Sequence, residues 1–176
     1  MIIQIRGTSG SGKSTVMRKV MDLVGVWEPV YKEGRKQPLY YTSNGIVVLG
    51  HYNSPCGGCD TIGSARAVFD LIKSIDAKII ICEGLLLSED VKWSSQLTDL
   101  RVIFLTTPLD QCLTWIAGRR EKAGNDKPLN PSNTTNRVGV IEGARMKLSL
   151  VGVQCSQCSA GKAPSVIISW IKNETR

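Results

Sequence analysis

Residues 7 to 14 read Gly-Thr-Ser-Gly-Ser-Gly-Lys-Ser, filling every fixed position of the pattern G-x-x-x-x-G-K-[ST]. A bound phosphate needs backbone N–H groups converging on one point, and glycines let the chain come that close. A helix that follows at once aims its N-terminal dipole at the anion. The pattern assigns Gly7, Thr8, Ser9, Gly10, Ser11 and Gly12 to the phosphate cradle. It assigns Lys13 to the β- and γ-phosphates and Ser14, through its hydroxyl, to Mg²⁺, with Thr15 next in reach. The flanks suit this reading. Ile2 to Arg6 reads as a short buried strand, and Val16, Val20, Leu23 and Val24 mark one face of a helix from Lys13 to Leu23. Strand, glycine loop and helix follow without a gap, which sets aside a chance match to a Ser- and Gly-rich turn. The expected ligand is ATP or GTP.

The rest of the chain continues the alternation. Gly25 to Pro38 reads as irregular. Leu39 to Thr42 and Ile46 to Leu49 read as two strands joined at Asn44-Gly45, a strong hairpin signal. Residues 50 to 60 form a loop dense in turn formers. A helix is expected over Thr61 to Ile75, a buried strand over Lys78 to Cys82 and a helix over Ser88 to Leu100. A buried strand over Arg101 to Leu105 follows, then a helix capped by Thr107 with Pro108 at its first position, running to about Arg120. Gly124 to Thr135 reads as a polar loop, Arg137 to Leu150 as a helix, Cys155 to Cys158 as a loop and Ser165 to Trp170 as a last short strand. Strands alternating with helices imply an α/β fold of three layers around a mostly parallel central sheet.

The length of 176 residues favours one domain spanning 1–176. Hydrophobic residues at 42% and charged residues at 21% are those of an ordinary water-soluble domain. No apolar run approaches the roughly 20 residues that span a bilayer. The start, Met-Ile-Ile-Gln-Ile-Arg, does not read as a signal peptide, so a cytoplasmic location is expected. The net charge is +7, which suits polyphosphate ligands and also a polyanionic partner such as nucleic acid. Much of the excess lies between Ala117 and Lys147, which holds Arg119, Arg120, Lys122, Lys127, Arg137, Arg145 and Lys147 against Glu121, Asp126 and Glu142.

Transfer of a phosphoryl group to a hydroxyl calls for a carboxylate that orients or deprotonates the acceptor. Two candidates stand out. Glu83 follows a buried strand, at the sheet edge where α/β ligands bind. Asp60 ends Gly57-Gly58-Cys59-Asp60 and precedes a helix, where a plain N-cap competes with a functional role. The residues alone leave open which of the two is the base. The chain has no N-K-x-D guanine motif, which weakens a GTPase reading.

The chain resembles the small nucleoside and nucleotide kinases of the P-loop superfamily. The likeness rests on the phosphate loop, on Ile79-Ile80-Ile81-Cys82-Glu83-Gly84, on Val102-Ile103-Phe104-Leu105 and on Ala117-Gly118-Arg119-Arg120. It implies an arginine-bearing lid, here about residues 117–137, in which Arg119, Arg120 and Arg137 approach the phosphates. Arginine suits that task because it stabilises charge on the transferring group and keeps its own proton. Decoration of a helix C-terminus is the plainer reading of the same arginines.

A narrower resemblance, to the bacteriophage 5-hydroxymethyluracil DNA kinases, is carried by Gly57-Gly58-Cys59-Asp60-Thr61-Ile62 and Glu83-Gly84-Leu85-Leu86-Leu87-Ser88 together with the phosphate loop. It implies ATP-dependent phosphorylation of a hydroxymethyl group within DNA, Asp60 and Glu83 near the acceptor, and host bacterial cytoplasm as the setting. A base in a duplex must be extruded to reach such a site. His51 and Tyr52, with Tyr40 or Tyr41, are candidates to hold or stack on it, against packing as the plainer role. The alternatives are a kinase of a free nucleoside, nucleotide or other small metabolite, and an inactive nucleic-acid-binding module. The intact Lys13-Ser14 speaks against the last.

Cys56-x-x-Cys59 and Cys155-x-x-Cys158 have the local spacing of a four-thiolate zinc site. Their expected places, the first pair near the active edge and the second before the last strand, speak against a shared metal.

Overall fold

The computed structural model describes residues 1–54, 57–84, 88–125 and 129–175, with 88–90 described in backbone only. Seven strands form one sheet: β1 (Ile2–Arg6), β2 (Glu28–Val30), β3 (Tyr40–Ser43), β4 (Ile46–Leu49), β5 (Ile79–Gly84), β6 (Leu100–Leu105) and β7 (Gln154–Cys158), in the order β2-β3-β4-β5-β1-β6-β7. From β4 to β7 all neighbours run parallel. The first three strands in spatial order form an antiparallel extension, with the hairpin at Asn44-Gly45 where the sequence puts it.

Helices cover both faces. Strand alternation decides which residues meet which helices, because successive side chains point to opposite faces. Ile3 and Ile5 of β1 and Ile79 and Ile81 of β5 pack under α1 (Lys13–Val24) and α6 (Ala163–Glu174), through Val16, Met17, Val20, Ile167 and Ile171. Ile80 and Cys82, with Val102 and Phe104, meet the opposite layer of α2 (Ala65–Ser74), α3 (Ser88–Ser94) and α5 (Pro131–Leu150), through Ile72, Ala144 and Leu148. The expected three-layer α/β arrangement with a mostly parallel sheet is present. Among the described residues no helix is long and apolar enough to cross a membrane.

Several local expectations are corrected. Ser165 to Trp170 is helix, not strand: α6 buries Ala163, Ile167 and Ile171 at four-residue spacing, and this period overrides the β-branched run. Cys155 to Cys158 lies in β7, the last parallel strand, rather than in a loop. The irregular stretch 25–38 contains β2. The helix expected from Thr61 starts only at Ala65, where Ser64 caps it by accepting from the Ala67 N–H at 3.1 Å. The helix expected to reach Leu100 ends at Ser94, and Leu100 opens β6. Part of the polar stretch 124–135 is the first turn of α5, capped by Asn130 with Pro131 behind it. Helix α4 (Leu109–Lys122) has Pro108 at its cap position, and the Thr107 hydroxyl is used elsewhere.

Candidate active site

The carboxyl ends of the parallel strands share one edge of the sheet, and four segments with expected chemistry lie there. The phosphate loop leaves β1, the 50–60 loop leaves β4, Glu83 is the penultimate residue of β5 and Thr107 follows β6. Inside the phosphate loop the Ser11 N–H donates to the Thr8 carbonyl at 3.2 Å. Thr107 latches the loop from outside, its hydroxyl donating to the Ser11 carbonyl at 2.8 Å. The Thr8 and Ser11 hydroxyls are buried and have no hydrogen-bond partner among the described residues. Buried donors of this kind are normally satisfied, so their presence in the cradle suits a polar occupant.

Lys13 curls back over the loop, and its Nζ donates to the Gly7 and Thr8 carbonyls at 3.0 Å each. Burial pushes its ammonium below the ordinary lysine value, while the nearby Glu83 and Asp60 carboxylates pull the other way. Ser14 is one residue further on, in the first turn of α1, and its hydroxyl donates to Glu83 Oε1 at 2.6 Å. Glu83 shares a sheet face with Ile79 and Ile81, the face that α1 covers, and only 4% of it is exposed. Burial raises its carboxyl above the usual range. Lys13 and the Ser14 hydroxyl oppose that rise, and Asp60 adds to it.

Asp60 sits in a 3₁₀ turn, Cys59–Thr61, and is exposed. It caps no helix, because Ser64 does that work for α2. Its charge instead reaches both Lys13 and Glu83. The turn is pinned from several sides. The Gly58 N–H donates to the His51 carbonyl at 2.8 Å. The Arg18 guanidinium of α1 donates to the Tyr52 and Ser54 carbonyls at 3.1 and 2.6 Å. Gly58 presses so closely on Glu83 that a Cβ there would fall on the carboxylate. The Gly-Gly-Cys-Asp loop and the Glu83 strand end, remote in sequence, therefore form one surface.

Three further arginines gather on the other side of the phosphate loop. Arg119 and Arg120 of α4 and Arg137 of α5 line a cleft of about 540 Å³ together with Ser9 and Thr134. Arg119 also reaches Lys13 electrostatically. Thr15 is exposed on α1 beside Ser14.

The acceptor-side aromatics are placed differently from expectation. Tyr52 is buried in the α1-side core with its hydroxyl donating to the Leu49 carbonyl at 3.2 Å, so it offers no exposed ring for stacking. Tyr41 is likewise buried, with its hydroxyl on Asn53 Oδ1. His51 is buried too; Nε2 lies 3.4 Å from the Ser54 hydroxyl, and Nδ1 has no partner among the described residues. Packing, the plainer reading, describes the tyrosines.

Sequence reasoning missed three supports of the site. Thr107 and Arg18, described above, carry no motif. The third is a buried network under α3, where Arg6 Nε and Nη2 and the Ser94 hydroxyl all donate to Gln4 Oε1, at 3.2, 2.9 and 3.0 Å. Polar residues at alternate positions of an otherwise apolar strand, Gln4 and Arg6, were its signal.

The cysteine pairs do not meet. Cys59 packs beside Cys82 near β4 and β5, while Cys155 and Cys158 lie on β7, beyond β1 and β6. Those two face opposite sides of the sheet, and Cys56 lies outside the described residues. Among the described residues no three His, Cys, Asp or Glu side chains are grouped to hold a metal. That does not conflict with Mg²⁺ at Ser14. Magnesium at a phosphate loop keeps most of its shell as water and phosphate oxygens, and needs only hard oxygen donors such as the Ser14 hydroxyl with a carboxylate behind it.

No family model matches the chain. Among curated proteins, the 5-hmdU DNA kinase of Pseudomonas phage PaMx11 is 39% identical over 164 residues, covering 86% of this chain and 87% of that protein. The 5-hmdU DNA kinase of Pseudomonas phage M6 is 28% identical over 160 residues, covering 82% of this chain and 83% of that one. Among solved structures, shikimate kinase from Acinetobacter baumannii superimposes with a TM-score of 0.51 at 16% identity, over 98% of this chain and 93% of that chain, a likeness of fold. With a P-loop, a buried strand-end glutamate and this level of identity over most of its length, the chain belongs to the phage 5-hmdU DNA kinase family of P-loop phosphotransferases.

Proposed function

We propose that this protein transfers the γ-phosphoryl group of ATP to the hydroxymethyl oxygen of 5-hydroxymethyluracil within DNA. The observation that carries the reading is the convergence of Lys13, Ser14, Glu83 and the Asp60 turn at one sheet edge, with the turn packed directly on Glu83. The relatives named above, which share this chain's length, supply the substrate class.

The roles follow from position. The nucleotide phosphates lie on the Gly7–Ser14 loop, with Lys13 released from the Gly7 and Thr8 carbonyls to meet them. Mg²⁺, when bound, neutralises phosphate charge beside Ser14. Because Glu83 holds the Ser14 hydroxyl, it belongs to the metal side and orients that ligand. Asp60, exposed and facing the same edge, is then the group that accepts the proton of the acceptor hydroxyl. Arg119, Arg120 and Arg137 take charge on the transferring group as the α4–α5 cleft closes.

The test offers γ-labelled ATP with a 5-hydroxymethyluracil oligonucleotide, with the free nucleoside, and with neither. Label is expected on the oligonucleotide. Label that moved only to the free nucleoside would overturn the reading and point to a small-metabolite kinase.

A further inference from the structure

The antiparallel extension of the sheet brings a second basic segment to the active edge. Val30 ends β2 opposite Tyr40, which begins β3, and Tyr40 pairs with Leu49, the last residue of β4. The connection between β2 and β3 therefore emerges at the same edge as the 50–60 loop. Backbone bonds fix it there: the Leu39 N–H donates to the Val30 carbonyl and the Gly50 N–H to the Leu39 carbonyl, both at 2.8 Å. Arg35 then ties the connection to the catalytic turn itself, its Nη1 donating to the Thr61 carbonyl at 3.2 Å.

The connection presents Tyr31, Lys32, Glu33, Arg35 and Lys36. Tyr31 is 54% exposed, and Lys32 and Lys36 are exposed. Among the described residues none of Lys32, Arg35 and Lys36 forms an ion pair. An exposed aromatic ring among cations suits nucleic acid, which offers phosphates to the cations and a base face to the ring. Strands β2 and β5 are three steps apart in the sheet, so the segment stands about 14 Å from Glu83 along the edge. In a duplex that is about four base steps from an extruded base.

We propose that residues 31–36 form a DNA-backbone clamp that holds the strand flanking the target base, with Lys32 and Lys36 on phosphates and Tyr31 against a neighbouring base. The proposal rests on the DNA-kinase reading above and adds the surface that holds the polymer. It divides the labour between the two basic regions. The α4–α5 arginines face the phosphate loop and serve the nucleotide, whereas the β2–β3 connection faces the acceptor turn and serves the DNA.

The experiment compares the full chain with K32A/K36A and with K78A/K172A. The control pair removes the same charge from Lys78 and Lys172, which are exposed at the opposite edge of the sheet and in the last turn of α6. Fluorescence anisotropy with a labelled oligonucleotide of about 20 nucleotides is read across a salt series. For K32A/K36A, affinity is expected to fall on the order of 10-fold near 0.15 M salt, with the log–log salt slope smaller by about 1.5–2. K78A/K172A is expected to bind as the unaltered protein does. Tyr31→Ala is expected to weaken binding by about 5- to 10-fold with its salt slope unchanged, as loss of stacking requires. Equal loss in both double variants, or none in K32A/K36A, overturns the clamp. If the unaltered enzyme labels the oligonucleotide while K32A/K36A binds it normally, this proposal fails alone. If the unaltered enzyme labels only free nucleoside, the DNA-kinase reading fails and takes this one with it.

Discussion

The Ser14 hydroxyl donates a 2.6 Å hydrogen bond to Oε1 of Glu83, joining the first turn of α1 to the end of β5. A hydroxyl that donates its proton this way has lone pairs left to coordinate a hard cation such as Mg²⁺. Ser14→Ala removes the ligand, and the Mg²⁺ concentration for half-maximal rate should rise by about 10-fold or more. Ser14→Thr keeps the hydroxyl and should restore most of the loss. A magnesium titration of phosphoryl transfer reads both. An unchanged half-saturation in Ser14→Ala would sink the assignment.

Asp60 and Glu83 are predicted to fail in different ways. Asp60→Asn removes a proton acceptor from an exposed turn that caps no helix, and should lower kcat by about 10²- to 10⁴-fold. Its magnesium dependence should stay that of the unaltered enzyme. Glu83→Gln leaves Ser14 an acceptor but removes the carboxylate charge behind it, and should shift the magnesium dependence part of the way toward that of Ser14→Ala. If Asp60→Asn shifts the magnesium curve and Glu83→Gln does not, the two roles are reversed.

Glu83 also makes a stability prediction. Its carboxyl is raised by burial, so between the unfolded and folded values the native state binds more protons than the unfolded chain. Stability then falls as pH rises through that window, and above it the cost of burying the charge is fully present. Lys13, lowered by burial, has its cost fully present below its folded value. Wherever both groups are ionised, each charge is held at a cost to the fold. Glu83→Gln keeps the shape and an acceptor for Ser14 while removing one charge, so it should raise Tm, by about 2–4 °C for each kcal/mol regained. The gain should shrink as pH falls through the raised value, where Glu83 itself becomes neutral. Calorimetry across pH checks this, and a Tm gap that widened toward acid would contradict it.

The phosphate loop and its helix were legible because that chemistry is local: the spacing of three glycines, a lysine and a serine is itself the site. Glu83 was legible as a strand-end candidate, whereas its place inside β5, on the α1 face it shares with Ile79 and Ile81, was not. What escaped was non-local or ambiguous in period. Val166-Ile167-Ile168 reads equally as a buried strand, and only Ala163, Ile167 and Ile171 meeting the α1 core settle it as helix. Thr107 has the residue type of a cap but gives its hydroxyl to Ser11, a partner 96 positions away that no local pattern reveals. Tyr52 looked available for stacking because it sits in a polar loop, yet the Arg18 bonds to that loop's backbone draw it against the core.

Arg119 and Arg137 come from two helices and face one cleft with Ser9. If both take charge on the same phosphoryl group, their removal is not additive. Each single alanine variant should lower kcat/KM by about 10²- to 10³-fold, the range for loss of one charge-stabilising donor. The double variant should lose less than the product of the two. Multiplicative losses would place the arginines on separate ligands.

Gly58 offers the sharpest separation of strain from chemistry. Its φ of 79° and ψ of −156° lie in a region that favours glycine, and a Cβ there would land on the Glu83 carboxylate. Gly63, five residues on, also has a positive φ, at 111°, but among the described residues no atom beyond its chain neighbours lies within 4 Å of its Cβ position. Both alanine variants carry backbone strain of about 1–3 kcal/mol and should lower Tm. Only Gly58→Ala should push Glu83 off Ser14 and so raise the magnesium requirement as Ser14→Ala does. Magnesium titrations of the two variants, run at a temperature where both are folded, decide the matter. An equal shift in both means strain alone accounts for the effect. A shift confined to Gly58→Ala ties the Gly-Gly-Cys-Asp loop to the metal side of the site through the Glu83 carboxylate.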